Sequence, residues 1–151
     1  MLHKVEYSVL QGFFLTVSPE SILTVAKCAY EDDKIFMMNL SAPFLCEIFR
    51  KPMLAALPYV DILFGNETEA DTFANVNGFN ITDRKQIALK ISEMNKINKK
   101  RKRIVVITQG AEEVLLAKDG TVTEYPVVKL PGEKVVDTNG AGDAFVGGKY
   151  K

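Results

Sequence analysis

One carboxylate lies among glycines near the end of the sequence, in Asp137-Thr138-Asn139-Gly140-Ala141-Gly142-Asp143. Two strand-favouring valines precede this stretch, and Gly140 begins a predicted helix with Asp143 in its first turn. The N–H groups of a first helical turn lack intrahelical partners and attract anions, and glycines let a phosphate approach the backbone. Asp143 would repel that phosphate unless it takes a proton from an attacking hydroxyl, while the amides of Gly140, Ala141 and Gly142 stabilise the developing charge. The pattern would suit phosphoryl transfer to an alcohol.

A purely structural interpretation stays open from these residues alone, and for an isolated Gly-x-Gly it would be the preferred one. Asp143 would then be a first-turn acid favoured by the helix dipole, beside a tight glycine turn. A Walker A loop is excluded because the spacing from Gly142 to Lys149 is one residue too long and Tyr150 replaces Ser or Thr. A dinucleotide fingerprint is excluded because Phe145 occupies the place of its third glycine.

Two further polar clusters each follow an apolar run. Asn66 and Glu69 have the spacing of a capping box, which needs no ligand. Thr108-Gln109-Gly110 ends the most apolar predicted strand, Ile104 to Thr108, and by itself is a strand end with a glycine turn.

The elements around these clusters alternate between strand and helix. Ser18 and Pro19 predict a helix start, Pro52 and Pro58 predict breaks, and Thr82 predicts a second cap. Lys118-Asp119-Gly120 predicts a late β-hairpin. Apolar strands alternating with helices predict an α/β fold, with a mainly parallel sheet covered on both faces. Ligands of such sheets bind beyond the carboxyl ends of the strands, so we expect 39–44, 66–69, 108–110 and 140–143 along one rim.

Composition excludes several classes of protein. The chain has 151 residues, 47% of them apolar, which predicts one soluble domain with a core. Nineteen basic residues balance nineteen acidic ones, so no overall charge attracts nucleic acid or a membrane surface. No apolar run predicts a membrane span, and two cysteines suit a reducing compartment. With His3 as the only histidine, a Ser-His-Asp triad and a histidine zinc site are not expected.

The run Asn98-Lys99-Lys100-Arg101-Lys102-Arg103 is the one concentration of charge. It fits a nuclear-import signal or a nucleic-acid patch. We favour the solvated end of a helix, because cations are stabilised at helix C-termini and no aromatic residues interrupt the run.

The string Asp-Thr-Asn-Gly-Ala-Gly-Asp-Ala-Phe-Val-Gly-Gly resembles a signature of the ribokinase-like (phosphofructokinase-B) sugar and nucleoside kinases, and Asn66-x-x-Glu69 resembles a second motif. Gly12-Phe13-Phe14-Leu15 and Asn39-Leu40-Ser41-Ala42-Pro43-Phe44 are similar to the adenosine-phosphorylating branch of that family. The resemblance implies a three-layer α/β/α fold and ATP-dependent phosphorylation of the adenosine 5′-hydroxyl to AMP.

The resemblance also implies roles for individual residues. Asp143 would be the general base, with the amides of 140–142 as the anion hole. Asn66 and Glu69 would serve the phosphates and Mg²⁺ through water, and Thr108 and Gly110 would contact the nucleotide. Phe13 and Phe44 would face the adenine of the substrate, where an aromatic wall stacks well, although both are equally plausible as core residues. Asp137 would lie near a monovalent cation or serve only the turn.

Members of the family that this sequence resembles are expected to be much longer. They would have a lid, a Gly-Gly substrate motif and C-terminal helices, none of which has a counterpart in this sequence. We therefore expect residues 1–151 to form a single partial kinase domain with weak or no activity in isolation, since positioning carries much of the rate. The alternative is a non-catalytic truncated form that binds a nucleotide or a partner. The expected partners are adenosine and ATP rather than nucleic acid or membrane, and the full-length form would be a monomer. The resemblance implies a cytoplasmic location, and the basic run adds the nucleus as an alternative.

Overall fold

The computed structural model describes residues 7–128, except for the side chains of Tyr7, Leu10 and Phe13. Within residues 7–128, six strands form one sheet: β1 Tyr7–Gln11, β2 Ile35–Asn39, β3 Ile62–Asn66, β4 Ile104–Gln109, β5 Glu112–Lys118 and β6 Thr121–Tyr125. In the same described part of the chain, five α-helices connect the strands: α1 Pro19–Glu31, α2 Pro43–Ile48, α3 Arg50–Ala56, α4 Glu67–Val76 and α5 Arg84–Glu93. Two short 3₁₀ helices cover Gly12–Thr16 and Leu57–Tyr59.

The strands lie in the sheet in the order in which they occur in the sequence. Strands β1 to β4 are parallel, and β5 and β6 extend the sheet as antiparallel neighbours. The predicted parallel sheet with a late hairpin is confirmed. Parallel neighbours in sequence order need one crossover each, and such crossovers share one hand. The described helices therefore belong on the same side of the sheet.

The packing agrees with this topology. Side chains from all five helices join Phe36, Met38, Leu63 and Val105 of the strands in one large apolar cluster. Alternate residues of the strands form a second buried cluster of Met37, Ile62, Phe64 and Val106, to which only strand residues contribute in the part of the chain described. Helices were predicted to cover both faces of the sheet. Within residues 7–128, helices cover one face, and the prediction for the other face stays a prediction.

Local sequence signals account for most helix boundaries. Ser18 caps α1 by accepting a hydrogen bond from Ser21 N, and Pro19 is its first residue. Pro52 does not break a helix as predicted: it lies in the first turn of α3, where its missing N–H has no intrahelical carbonyl to bond. The cap of α5 is Asp83 instead of Thr82, because the Asp83 carboxylate accepts from Lys85 N and Gln86 N.

The basic run contains the largest departure from expectation. Helix α5 ends at Glu93, before the run, and Arg103 is 1% exposed. Its guanidinium donates to five backbone carbonyls, those of Leu57, Val60, Ile91, Met94 and Asn95, at 2.7–3.2 Å. The interpretation of this residue as a solvated helix end is wrong, because five converging carbonyls replace its water.

Asp61 and Lys96 lie in the same buried region. Lys96 Nζ donates to Asp61 Oδ1 at 2.6 Å and to the carbonyl of Asn98 at 3.0 Å, while Asp61 Oδ2 accepts from Phe36 N. Arg101 Nε is 3.5 Å from Asp61 Oδ1. We call Asp61, Lys96, Arg101 and Arg103 the amino-end network, because they lie where β3 and β4 begin.

No helix of the described part has the length and apolar content required to cross a membrane.

Candidate functional site

The carboxyl ends of the parallel strands bring three predicted clusters to one edge of the sheet. Gln11 pairs with Asn39, Asn39 with Phe64, and Asn66 with Thr108. We define the carboxyl rim as Gly12, Asn39–Ser41, Asn66–Glu69 and Thr108–Gly110. The prediction that residues 39–44, 66–69 and 108–110 share this edge is confirmed. The fourth cluster, Gly140 to Asp143, lies outside the described residues, as does Asp137.

The turn after β2 is held in an uncommon backbone conformation. Ser41 has φ of 68°, the left-handed region that non-glycine residues rarely adopt. Its amide donates to Asn39 Oδ1 at 3.0 Å, and its hydroxyl accepts from the amide of Gly12 at 2.8 Å. The amide of Leu40 donates to Phe64 O at 2.9 Å, which ties the same turn to β3. These bonds fix the part of the carboxyl rim that lies at the ends of β1 and β2.

Gly12 permits this contact because it has no side chain. A Cβ at this position would lie 2.5 Å from the carbonyl oxygen of Asn39 and 2.9 Å from that of Leu40. Both atoms belong to backbone that is already hydrogen-bonded, so neither can move easily. Any larger residue would therefore separate the segment after β1 from the turn after β2.

The N-terminus of α4 forms the capping box that the sequence predicted. Asn66 Oδ1 accepts from Glu69 N at 2.8 Å, and Glu69 Oε2 accepts from Asn66 N at 2.9 Å. Glu69 is 6% exposed, although it carries a carboxylate. The side-chain amide nitrogen of Asn66 donates to no residue in the described range 7–128. The pair thus stabilises the helix start and still presents polar groups at the rim.

Cys46 lies beside Glu69 in a region from which solvent is excluded. Its thiol lies 3.9 Å from the carbonyl oxygen of Glu69, and the residue is buried. Burial raises the pKa of the Cys46 thiol to about 12, and the negative charge of Glu69 adds to the shift. A thiol with that pKa is unreactive at neutral pH, so Cys46 serves packing.

The turn after β4 combines an irregular strand end with a left-handed glycine. The β4–β5 register shifts between Ile107 and Gln109, so Thr108 lies at an irregularity of the kind often found beside active sites. Gly110 has φ of +60°, and a Cβ there would be 3.9 Å from Glu67 Oε1. On the hairpin side of Gly110, a groove of about 610 Å³ is lined by residues that include Arg84, Gln109 and Glu112.

The two phenylalanines predicted to face adenine lie close to the rim in the sequence. Phe44 is in the first turn of α2 and is 42% exposed, so it is not a buried core residue. Phe13 is the second residue of the 3₁₀ helix that follows β1, and its side chain is outside the description. The contact of either ring with a substrate stays a prediction.

Two rim residues were missed by sequence reasoning. Ser41 was read only as part of a family-like string, since a positive φ in a serine leaves no signal in the sequence. Glu67 is an unspecified position of the Asn-x-x-Glu pattern, yet its Oε1 lies 3.9 Å from where a Cβ of Gly110 would be. Its place in the first turn of a helix beside a rim strand was the available signal.

Comparison with known proteins identifies the class to which this fold and this rim belong. The sequence model of the pfkB family carbohydrate kinases matches residues 1–149. The chain belongs to the pfkB family, and its sheet is that of the ribokinase-like α/β fold.

Within that family, the chain is similar to several adenosine kinases. The chain is 55% identical over 148 residues to adenosine kinase 2 of Arabidopsis thaliana, and 53% identical over 137 residues to adenosine kinase of Schizosaccharomyces pombe. These matches cover 98% and 91% of this chain, but 43% and 40% of the relatives. The crystal structure of Anopheles gambiae adenosine kinase in complex with P1,P4-di(adenosine-5) tetraphosphate has a TM-score of 0.89 and 52% identity, covering 93% of this chain and 42% of that chain. This chain therefore spans about two fifths of the length of these relatives.

Proposed function

We propose that the protein carrying this chain phosphorylates the 5′-hydroxyl of adenosine with ATP to give AMP. The observation that carries the proposal is the carboxyl rim, where Gly12 and Ser41 meet on one side and Asn66, Glu69 and Gly110 on the other. The similarity to adenosine kinases supports the choice of nucleoside.

In this proposal, Asp143 takes the proton from the 5′-hydroxyl as its oxygen bonds to the terminal phosphorus of ATP and ADP leaves. The amides of Gly140, Ala141 and Gly142 donate to the oxygens on which negative charge develops. Thr108 and the bare backbone of Gly110 contact the nucleotide, while Phe13 and Phe44 border the adenine of the substrate. Proper positioning of the two reactants supplies much of the remaining rate.

The rim residues fit Mg²⁺ held through water. Among residues 7–128, no group of three or more His, Cys, Asp or Glu side chains forms a metal cage. Mg²⁺ needs no such cage with nucleotides, because phosphates, waters and one or two carboxylates complete its shell. Glu69 Oε2 already accepts from Asn66 N, which favours a water-mediated contact over direct ligation. Bound Mg²⁺ would neutralise charge on the phosphate oxygens, and Asn66 and Glu69 would orient its waters.

A chimeric enzyme tests the assignment. This chain replaces the matching 148 residues of Arabidopsis adenosine kinase 2, which supplies the remaining parts. We expect the chimera to form AMP from adenosine and ATP, and we expect Asp143→Asn to abolish turnover while leaving adenosine binding measurable by calorimetry. A folded chimera without activity, or an Asp143→Asn chimera that keeps full activity, would contradict the proposal.

A non-catalytic binding role for the isolated chain is the second candidate. On this view the purified 151-residue chain binds nucleotide without turning it over. Adenosine-dependent ADP release by that chain, lost in Asp143→Asn, would contradict the second candidate and show a self-sufficient enzyme.

Further proposals follow from the family resemblance. A monovalent-cation site near Asp137 would make turnover depend on the monovalent cation in the buffer, and Asp137→Ala would remove that dependence. The complete protein would be a monomer in the cytoplasm, with adenosine and ATP as partners.

The basic run gives weak support to a nuclear address. Arg103 is buried, and Lys100 and Lys102 pair with Asp33 and Asp119. An extended import peptide would have to break these contacts. Retention of a fluorescent fusion in the cytoplasm would support the assignment, and nuclear accumulation that depends on Lys99 and Lys100 would overturn it.

A further inference from the structure

The contact between Gly12 and Ser41 joins two segments that are 29 residues apart in the sequence. Gly12 is the first residue after β1, and Ser41 is the second residue after β2. The two strands are already paired in register up to Gln11 and Asn39. The bond from the Gly12 amide to the Ser41 hydroxyl is therefore additional to the sheet, and it fixes the chain at the point where it leaves the sheet.

The Ser41 hydroxyl is itself fixed in place. It accepts from Gly12 N at 2.8 Å and donates to the carbonyl of Asn39 at 3.3 Å. The Ser41 amide donates to Asn39 Oδ1 at 3.0 Å, so Asn39 contacts both polar groups of the serine. A hydroxyl that donates and accepts at once has one preferred orientation, and its lone pair is directed at the Gly12 amide.

This arrangement is maintained against a backbone cost. Ser41 has φ of 68°, and a left-handed non-glycine residue persists only where its surroundings hold it. Glycine would adopt this φ without strain but would lack the hydroxyl. The serine thus supplies a hydrogen-bond acceptor that glycine cannot supply.

We propose that Ser41 is a positioning residue: its hydroxyl holds the Gly12–Phe13 backbone against the turn after β2, in the orientation that adenosine binding requires. The inference rests on the proposed function, because Gly12–Phe13 lies on the side of the rim assigned to the nucleoside. Ser41 acts through Gly12 and takes no part in proton or phosphoryl transfer. Its loss therefore weakens binding of adenosine more than it slows the reaction of bound adenosine.

Two substitutions in the Arabidopsis chimera separate the hydroxyl from the backbone conformation. Ser41→Ala removes the acceptor and keeps the strained φ, whereas Ser41→Gly removes the acceptor and relieves the strain. We expect both to raise KM for adenosine about tenfold, which corresponds to ~1.4 kcal/mol, with kcat and KM for ATP within about twofold. Ser92→Ala is the matched control, because it removes a part-buried hydroxyl that donates to Leu89 O within α5. It should change none of these constants.

Hydrogen exchange of the 151-residue chain measures the bond between the Gly12 amide and the Ser41 hydroxyl independently of enzymatic activity. The Gly12 amide should exchange faster in both Ser41 variants and at the wild-type rate in Ser92→Ala. A purely structural role would change the melting temperatures of Ser41→Ala and Ser41→Gly differently and leave KM unchanged, which would overturn the proposal. An active wild-type chimera with normal KM in both variants overturns this inference alone, whereas an inactive wild-type chimera overturns the proposed function and this inference with it.

Discussion

The two ends of the sheet both carry buried polar groups, but they use them differently. In the amino-end network, Arg103 donates to five carbonyls and Asp61 accepts from Lys96 and from Phe36 N. At the carboxyl rim, the backbone is left-handed at Ser41 and Gly110, and Gly12 lies against carbonyl oxygens. The first end uses its polar groups to join loops to one another. The second uses them to hold one strained residue, Ser41, and the close backbone contact at Gly12.

The difference shows which polar residues indicate function. Charge and burial alone would favour Arg103 as the functional residue, yet its donors are used within the fold. Strain together with close backbone approach is the better sign, because it costs stability and is kept only where the surroundings require it. The predictions below test this division, starting with the largest expected effect.

Arg103→Met should be the most destabilising substitution. It leaves buried carbonyls without donors, and each unsatisfied group costs about 1–3 kcal/mol, so we expect a loss of at least ~4 kcal/mol in the free energy of unfolding. Urea denaturation of the 151-residue chain measures it, with soluble yield as a second reading. The control is Lys102→Met, since the Lys102 side chain is 74% exposed, and it should stay within about 0.5 kcal/mol of wild type. Equal stability of the two variants would show that the amino-end network is not structural.

Asp61→Asn should be the next largest, because it removes the partner of a buried ammonium. Breaking a buried pair in this way costs about 3 kcal/mol. Burial lowers the pKa of Lys96 from its ordinary value of 10.5, although Asp61 opposes the shift, so removing Asp61 lowers it further.

The pH dependence of Asp61→Asn follows from that shift. A folded-state pKa below the unfolded value means that the unfolded chain binds more protons, so stability rises with pH up to about 10.5. The deficit relative to wild type should shrink as the pH rises, and Asp61→Asn with Lys96→Met should recover part of it. A deficit that is constant between pH 7 and 10 would contradict this account.

Gly12→Ala should damage the carboxyl rim by steric overlap. Its Cβ would lie 2.5 Å from Asn39 O, so the expected loss is about 2 kcal/mol, accompanied by weaker adenosine binding in the chimera. Gly65→Ala is the comparison, because its Cβ would first meet the flexible Leu40 Cδ1 at 2.9 Å. Gly65→Ala should be the milder of the two in thermal unfolding. The reverse order would mean that the segment after β1 is free to move.

Glu69→Gln should separate the helix cap from the chemistry. Glutamine can fill the same place in a capping box, so stability should stay within about 0.5 kcal/mol of wild type. Removal of the charge should lower kcat of the chimera roughly 10- to 100-fold, as for other groups that orient metal-bound waters. Asn66→Ala should show a different result, with a loss of about 1 kcal/mol from the missing cap. Unchanged kcat in a stable Glu69→Gln chimera would leave Glu69 with the cap alone.

The smallest effect we predict is a difference in chemical reactivity between the two thiols, Cys28 and Cys46. Burial raises the pKa of Cys46 to about 12, whereas Cys28 is exposed. At pH 8, a disulfide reagent such as DTNB should therefore react quickly with Cys28 and with Cys46 only on unfolding. Rapid reaction of both thiols in the native chain would show that the region beside Glu69 opens readily.

The sequence predicted those parts of the fold that depend on neighbours in the chain. The caps at Ser18 and Asn66 were predicted because each cap bonds to a residue three positions away. The parallel sheet and its rim followed from the alternation of strands and helices. The burial of Arg103 could not be predicted, since its acceptors lie between Leu57 and Asn95 and converge only after folding. The left-handed turn at Ser41 could not be predicted for the same reason. The Ser41 hydroxyl bonds to Gly12, which is distant in the sequence, and serine is not a residue type that favours a positive φ.

A titration of the ¹⁵N-labelled chain with adenosine and with Mg²⁺-ATP at millimolar concentration tests the division most directly. The amide signals of Gly12, Ser41, Asn66 and Gly110 should move with ligand, while those of Asp61, Lys96 and Arg103 should stay in place. Shifts concentrated in the amino-end network, with the carboxyl rim unchanged, would contradict the account.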